Sequence, residues 1–213
     1  MDETQTDAPT GRSARTRASL IEATLARLRA DGSFTAEQVA ADAGVSVATI
    51  YNRFPDGRDG LLAAAFDRSL DRVVAASTGT LTADHLLDHG LDGTMRAMVD
   101  GLAAAFADEA LVMRAALARL PEIQALREAY RRHEATAREV NRRFVELCQA
   151  AGRIGDGDPD LMADVLIVLG QGINNPVVLG ATDRGRLRAR LAAAMVAALS
   201  PDECESREEP RRR

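Results

Sequence analysis

Residues 35–55 read TAEQVAADAGVSVATIYNRFP, and this pattern predicts the fold of the N-terminal region. Thr35 is followed three residues later by Gln38, which is the pattern of a capping box at the start of a helix. The short helix that begins here is predicted to run through Ala43. Gly44 then ends it, because glycine enters a left-handed turn without a steric penalty from Cβ.

A second short helix is predicted directly after this turn. Ser46 is suited to cap its first turn, and the helix is expected to span residues 47–54. Two short helices joined by a small residue, a glycine and an apolar residue form a helix-turn-helix, and Ala43, Gly44 and Val45 supply that sequence. The second helix of this motif fits the major groove of B-DNA. The stretch therefore predicts a DNA-binding motif whose reading helix is residues 47–54.

The side chains expected to contact DNA lie on the reading helix and at the ends of neighbouring helices. Small side chains at Val47, Ala48 and Thr49 allow the helix backbone to approach the base edges, where the Thr49 hydroxyl can form a hydrogen bond. Thr35 and Ser46 begin helices and are therefore placed to bind phosphate groups. The expected DNA contacts are Arg15, Arg17, Thr35, Ser46, Val47, Ala48, Thr49, Tyr51, Asn52 and Arg58.

The charge of this region is mixed. Arg12, Arg15 and Arg17 give the first predicted helix a basic start that can reach phosphate or a minor groove. Residues 11–62 as a whole contain seven arginines and six acidic residues. The region is therefore nearly neutral, and tight DNA binding is expected to depend on dimerisation.

The run from Thr35 to Pro55 closely resembles the DNA-binding domain of TetR-family transcriptional regulators. The positions that carry the resemblance are Thr35, Val39, Ala40, Ala43, Gly44, Val45, Ser46, Thr49, Ile50, Tyr51, Phe54 and Pro55. It extends over roughly residues 12–70, since an arginine-bearing helix precedes the motif as in that family. The departures are a shorter loop before Thr35, the pair Asn52-Arg53, and Arg58 where the family commonly has lysine.

The resemblance implies two all-α domains. A three-helix DNA-binding domain at residues 12–58 would precede a domain at 59–200 that binds a small molecule and dimerises through its last two long helices. Abundant Ala, Leu and Arg with only 3% aromatic residues agree with an all-α chain. The polar ends, residues 1–11 and 201–213, are expected to be disordered.

Helical spacing of apolar residues continues along the chain. The predicted helices span about residues 12–30, 35–43, 47–54, 59–77, 83–107, 109–119, 121–151, 159–179 and 183–199. A break is expected near Gly90 to Gly93, and Pro121 is expected in the first turn of its helix.

The last two predicted helices carry the residues expected to form a dimer interface. The first has more apolar surface than one packed face requires, and the second has an apolar stripe at helical spacing. Two such helices from each subunit would build a four-helix bundle across a twofold axis. Alternatively, both helices cover the core of their own subunit. The expected interface residues are Leu166, Leu169, Ile173, Leu187, Leu191 and Met195.

An effector pocket is expected in the C-terminal domain, lined by methionine, aromatic and amide side chains. Methionine adapts to irregular ligands, although methionines at helical spacing also describe an ordinary core. The expected lining residues are Met95, Met98, Phe106, Met113, Leu117, Tyr130, Phe144 and Asn174.

Other chemistry in the sequence gives weak signals. His85 and His89 are one helical turn apart among aspartates, a spacing that can hold a transition metal but is also typical of a solvated surface. Cys148 and Cys204 are too few for a disulfide framework and indicate reduced thiols. Catalytic motifs and phosphate loops do not occur in the sequence, so no enzyme activity, cofactor or metal site is expected.

The chain has 213 residues, a formal net charge of −5, and 27 basic residues that are all arginine. The negative net charge is an average over regions that differ, so it does not exclude a nucleic-acid partner. An apolar stretch of the ~20 residues that a membrane span needs does not occur, and the N-terminus lacks the apolar segment of a secretory signal. A cytoplasmic protein with no membrane partner is expected.

These observations predict a ligand-responsive, DNA-binding transcriptional regulator. It is expected to act as a homodimer on a palindromic double-stranded operator. Repression that is relieved by an unknown small-molecule effector is the simplest mode. The alternative is a helical small-molecule or metal-binding protein with a vestigial helix-turn-helix.

Overall fold

Ten helices and no strand occur in residues 11–180 and 183–200, the part of the chain that the computed structural model describes. They are α1 (Gly11–Asp31), α2 (Ala36–Asp42), α3 (Val47–Arg53), α4 (Gly57–Thr78), α5 (Ala83–Asp108), α6 (Ala110–Arg119), α7 (Gln124–Ala150), α8 (Pro159–Gln171), α9 (Pro176–Gly180) and α10 (Arg184–Ala198). The all-α prediction is therefore confirmed. The termini for which disorder is predicted lie outside the described residues, except that Gly11 begins α1. None of the helices in the described part of the chain is both long and apolar enough to cross a membrane.

These helices form two compact units. The first comprises the described residues of Met1–Arg72 together with Asp108–Arg132, and the second comprises Val73–Ala107 together with those of His133–Arg213. Helices α1, α2, α3 and α6 belong wholly to the first unit. The boundaries between the units fall inside α4, before the last residue of α5, and inside α7. The predicted division at residue 58 concerns function rather than packing, and it stays a prediction.

Apolar side chains of α1, α3 and α4 form much of the core of the first unit. Leu20, Leu25 and Leu28 recur along α1 at a spacing that places them on one helix face, and each is at most 1% exposed. Ile50 of α3 and Phe66 of α4 are completely buried. Since α3 has only seven residues, packing rather than intrinsic propensity must hold it in place.

The second unit has its own apolar core, and Met95, Met98 and Phe144 are buried in it. Helix α5 is interrupted at Gly90, where φ is +67° and the backbone leaves the helical conformation. The predicted break in this helix is therefore confirmed.

The predicted start of the helix at Pro121 is wrong. Pro121 lies in a turn, and α7 begins only at Gln124. The carbonyl groups of Leu120 and Pro121 accept hydrogen bonds from Arg127 Nη1 at 3.1 and 2.7 Å. This side chain satisfies carbonyls that a continuous helix would have used, and it stabilises the turn instead.

The prediction of one continuous helix over residues 159–179 is also wrong. Helix α8 ends at Gln171, and α9 begins at Pro176. Proline favours the first turn of a new helix because it has no N–H to donate to a preceding one. The Oδ1 atom of Asn175 accepts the Val177 N–H at 2.9 Å, which supplies α9 with a cap.

Cys148 lies in the core of the second unit, completely buried. Burial raises the pKa of its thiol to about 11, partly offset by the charge of Arg153. Because the thiolate is the reactive form, Cys148 is expected to be inert in the folded protein. Its local environment therefore argues against a role in redox sensing.

A Cys204→Ser variant, in which Cys148 is the remaining thiol, should resist a thiol-disulfide reagent at about pH 8 while folded and react once denaturant unfolds it. Since the pKa is raised in the folded state, the unfolded thiol ionises first. The free energy of unfolding should therefore fall as the pH rises from 9.0 towards about 11. Rapid labelling of the folded variant would contradict this assignment.

Candidate nucleic-acid interface

Local hydrogen bonds build the start of α2 and the turn that follows it. The backbone N–H of Gln38 donates to Thr35 Oγ1 at 3.3 Å, and the backbone N–H of Thr35 donates to Gln38 Oε1 at 2.9 Å. Both halves of the predicted capping box are therefore present. Gly44 has φ of +66°, the left-handed conformation that glycine adopts without strain. The predicted turn between the two short helices is thus confirmed.

Ser46 caps α3 as predicted. Its Oγ accepts the backbone N–H of Thr49 at 3.3 Å and lies 3.0 Å from the Thr49 Oγ1. The Thr49 hydroxyl is therefore engaged with the cap, and its predicted contact with a base stays a prediction. Helix α3 ends at Arg53, and Phe54 follows as its C-cap with a backbone N–H that donates to Ile50 O at 2.7 Å.

Helix α3 turns most of its predicted DNA-contacting side chains towards solvent. Ala48, Tyr51 and Asn52 are exposed, Val47 is half-buried, and Ile50 is the buried residue of this helix. The surface that would enter a groove is therefore open, and the helix is anchored from its other side.

The ring of Tyr51 packs against the start of α4 at Gly57. Gly57 has φ of +55°, and a Cβ atom placed on it would lie 2.7 Å from Tyr51 Cε1. That distance is too short for two carbon atoms in contact. Glycine at this position therefore leaves room for a ring that is predicted to touch DNA.

The variant Gly57→Ala is expected to displace the Tyr51 ring and weaken DNA binding. The methyl group would occupy the space of the ring, and the left-handed backbone would add about 1–2 kcal/mol of strain. Tyr51→Phe should weaken binding through loss of the hydroxyl alone. Affinity for the same DNA duplex, measured by fluorescence anisotropy, compares the two variants.

Gly152→Ala is the matched control, because Gly152 has the same left-handed backbone, with φ of +61°, whereas a Cβ added there meets open space. It should bind DNA like the wild type. If Gly57→Ala also bound with unchanged affinity, the position of the Tyr51 ring would be irrelevant to DNA binding.

Arg15 and Arg17 both lie within α1, and both are exposed. Arg15 Nε donates to the carbonyl of Gly11 at 3.1 Å. Arg17 Nη1 donates to the carbonyl of Arg53 at 2.8 Å, and its guanidinium lies 4.1 Å from the centre of the Phe54 ring. Arg17 therefore joins α1 to the C-terminal end of α3, and its predicted contact with phosphate would be made from that position.

Two further arginines fix the neighbouring segments. Arg58 Nε donates to the carbonyl of Phe34 at 3.2 Å, and its guanidinium lies 5.0 Å from the centre of the Phe34 ring. Arg27 of α1 binds both carboxylate oxygens of Asp42 at 2.6 and 2.8 Å. This ion pair raises the pKa of Arg27 and lowers the pKa of Asp42. Sequence reasoning missed the pair, since its partners belong to different helices.

The residues expected to line an effector pocket divide between the two units. Met113, Leu117 and Tyr130 belong to the first unit, whereas Met95, Met98, Phe106, Phe144 and Asn174 belong to the second. A groove of about 530 Å³ in the first unit is lined by α1, α4 and the start of α7, with Arg17, Arg68, Arg132 and Glu22 among its charged residues. None of the eight expected residues lines this groove, and their effector site stays a prediction.

The apolar residues expected at the dimer interface lie mainly inside the protomer. Leu166, Ile173 and Met195 are at most 1% exposed, and Leu169, Leu187 and Leu191 are half-buried. The large apolar side chains that α8 and α9 do expose are Leu161, Val168 and Val177, at 63%, 68% and 70%. Periodicity identified the apolar helices, but burial distinguishes the inner from the outer face.

His85 and His89 contact each other beside the break at Gly90. Their ring centres are 4.4 Å apart, and His85 Nδ1 lies 3.2 Å from Thr94 Oγ1. Because the Thr94 hydroxyl donates to the Gly90 carbonyl at 2.8 Å, His85 Nδ1 must donate to that hydroxyl. Within residues 11–180 and 183–200, no group of three or more His, Cys, Asp or Glu side chains could hold a metal ion.

Comparison with known proteins gives matches in solved structures alone, because no protein-family model and no curated protein matches the chain. A protein from Mesorhizobium loti MAFF303099 assigned to the TetR family of transcriptional regulators is 23% identical, with a TM-score of 0.69, and the match covers 89% of this chain and 96% of that chain. A protein from Pseudomonas aeruginosa PAO1 assigned as a transcriptional regulator is 25% identical, with a TM-score of 0.63 and coverage of 90% and 96%.

RolR, solved in complex with resorcinol, is 22% identical to the chain, with a TM-score of 0.54 and coverage of 93% and 96%. These matches extend over nearly the whole described chain and beyond the helix-turn-helix. The chain therefore has the fold of TetR-family transcriptional regulators, in agreement with the resemblance of residues 35–55.

Proposed function

We propose that the chain is a ligand-responsive transcriptional regulator that binds a palindromic operator as a homodimer, most simply as a repressor. The observation that carries the proposal is the helix-turn-helix of the first unit. Helix α3 is capped by Ser46, is anchored by Ile50, and exposes Ala48, Tyr51 and Asn52. The TetR-family fold supports the same function.

In the proposed complex, α3 enters the major groove with its small side chains facing the base edges. Ala48 permits close approach, and Asn52 offers an amide that can bind an adenine edge. The flanking phosphates are proposed to be contacted by Arg15, Arg17 and Arg58. Each guanidinium would use the N–H groups that are not engaged in hydrogen bonds within the protein. Such contacts position the protein, whereas α3 reads the sequence.

Dimerisation is proposed through α8 and α9 with the adjoining α10. Leu161 and Val168 are seven residues apart and therefore share one face of α8, and both are exposed together with Val177 of α9. Exposed apolar side chains of this size mark a surface that a partner covers. A twofold dimer would present two α3 helices to half-sites about 34–36 Å apart, or a multiple of that distance.

The effector is proposed to be a small organic molecule that binds the second unit. RolR, which shares this fold, was solved with resorcinol. Met95, Met98 and Phe106 are apolar side chains of α5 that could surround such a ligand once the core adapts. The ligand would relieve repression only if it bound the DNA-free conformation more tightly than the DNA-bound one.

The test is a gel shift of the purified dimer with the DNA upstream of its own gene, against excess competitor DNA at ~100 mM salt, since phosphate contacts make affinity salt-dependent. The proposal expects a discrete complex that survives the competitor and a dimer in analytical ultracentrifugation. Binding without sequence preference would contradict it and would favour the alternative of a helical binding protein with a vestigial motif.

A further inference from the structure

Glu109 forms the centre of a buried charge cluster that joins three helices of the first unit. Its carboxylate, 2% exposed as a residue, accepts hydrogen bonds from Arg29 of α1 and from Ser69 and Arg72 of α4. Arg29 binds both oxygens, at 2.5 and 3.2 Å, while Ser69 Oγ is 3.0 Å and Arg72 Nη1 is 2.9 Å away. We call these four residues the Glu109 cluster.

The position of Glu109 in the sequence makes this arrangement unusual. Glu109 is the N-cap residue of α6, yet its side chain makes no hydrogen bond to the N-terminus of that helix. Burial raises the pKa of Glu109. The hydrogen bond from Ser69, and the charge and hydrogen bond of Arg72, act in the opposite direction and lower it. The carboxylate thus leaves a capping position and is buried among the side chains of two other helices. The Glu109 carboxylate therefore joins α6 to α1 and α4 and does not cap α6.

Helix α1 is held on two sides by ion pairs. Arg29 binds Glu109 at the start of α6, and Glu22 Oε2 lies 3.6 Å from Nη2 of Arg72 of α4. Arg27 binds Asp42 at the end of α2, and it is turned by roughly 200° around α1 from Arg29. Helix α1 therefore connects the helix-turn-helix on one side with α4 and α6 on the other.

We propose that Glu109 is a positioning residue for DNA binding, because it fixes α1, and through α1 the helix-turn-helix, against α4 and α6. This inference rests on the proposed function. Glu109 itself is too deeply buried to contact DNA. Without it, α1 keeps its apolar packing but loses the ion pair that sets its angle on α6, and the arginines at the start of α1 shift relative to α3.

The variant Glu109→Gln should fold, because removing the carboxylate does not leave Arg29 and Arg72 as buried cations without a counter-charge. The side chains of Arg29 and Arg72 are 30% and 41% exposed, so their guanidinium groups can turn towards water. The amide also fills the same volume and keeps one acceptor oxygen. Glu139→Gln is the matched control, since Glu139 pairs with Arg142 and Arg143 on the outer surface of α7.

Hydrogen exchange and DNA affinity are measured on the full chain for wild type, both variants and Arg29→Gln, which breaks the same cluster from α1. Glu109→Gln is expected to exchange faster in α1, α2 and α3 with unchanged exchange in α8. It is expected to bind the operator about tenfold more weakly, a change of about 1.4 kcal/mol. Glu139→Gln should match the wild type in both measurements.

The outcomes separate the inference from the proposed function. If wild-type protein shows no sequence preference for DNA, the proposed function fails, and with it the role of Glu109 in DNA binding, even where exchange in α1 still rises. If the wild type binds but Glu109→Gln and Arg29→Gln exchange and bind like Glu139→Gln, the positioning role alone is overturned. Faster exchange throughout both units would also overturn it, since Glu109 would then stabilise the whole protein without positioning α1.

Discussion

Replacement of Ala48 by glutamate is expected to abolish sequence-specific DNA binding while leaving the protein folded. Ala48 is exposed on the first turn of α3, so the longer side chain has room in the free protein. A negative charge in the first turn of a helix is favourable with the helix dipole, so stability should not fall. In the complex the same carboxylate would face phosphates and acceptor groups of the bases, and like charges brought together cost several kcal/mol.

The loss of affinity is expected to be about 100-fold or more, since 1.4 kcal/mol corresponds to each factor of ten. Fluorescence anisotropy at ~100 mM salt measures the affinity, and circular dichroism measures Tm. The control is Ala104→Glu, which adds the same charge at an exposed position of α5 in the second unit. If Ala48→Glu kept its affinity, or lost it only together with the fold, α3 would not be the reading helix.

Truncation of Ile50 to alanine is expected to destabilise the first unit by about 2–5 kcal/mol, whereas Ile50→Val should cost about 0.5–1.5 kcal/mol. Ile50 is completely buried, and it is the buried residue of a seven-residue helix. A helix of that length is not stable alone, so its place depends on this side chain. Shortening Ile50 should therefore reduce the packing of the core and also displace the exposed surface of α3.

Denaturant unfolding measures the free-energy change, and hydrogen exchange in α3 locates it. Ile50→Val is the matched control because it removes one methylene and keeps the branched shape. Equal stability of the two variants would mean that α3 is held by contacts other than Ile50. DNA affinity of Ile50→Ala should fall more than that of Ile50→Val if the anchored helix is the one that binds.

Features that depend on neighbouring residues could be predicted from the sequence. The capping box of Thr35 and Gln38, the turn at Gly44 and the cap at Ser46 each need only a few adjacent residues, and each is present. The interruption of α5 at Gly90 follows from the same local rule. Short-range hydrogen bonding and backbone sterics carry this information.

Features that depend on distant residues could not be predicted in this way. Arg29 and Glu109 are 80 positions apart, and nothing in the intervening pattern marks them as partners. Apolar periodicity identified α8 and α10 as packing helices, yet it placed Leu166 and Met195 at an interface although both are buried within the protomer. An apolar stripe shows that one face of a helix is buried. Only the fold shows whether that face packs against its own protomer or against a partner.

The cations near α3, the proposed reading helix, are all arginine. The chain has no lysine, and its three histidines, at positions 85, 89 and 133, lie outside residues 11–62. A guanidinium group stays protonated at every physiological acidity. The positive charge of the surface proposed to meet the phosphates is therefore the same in a mildly acidic and in a mildly alkaline cell, because no lysine or histidine contributes to it.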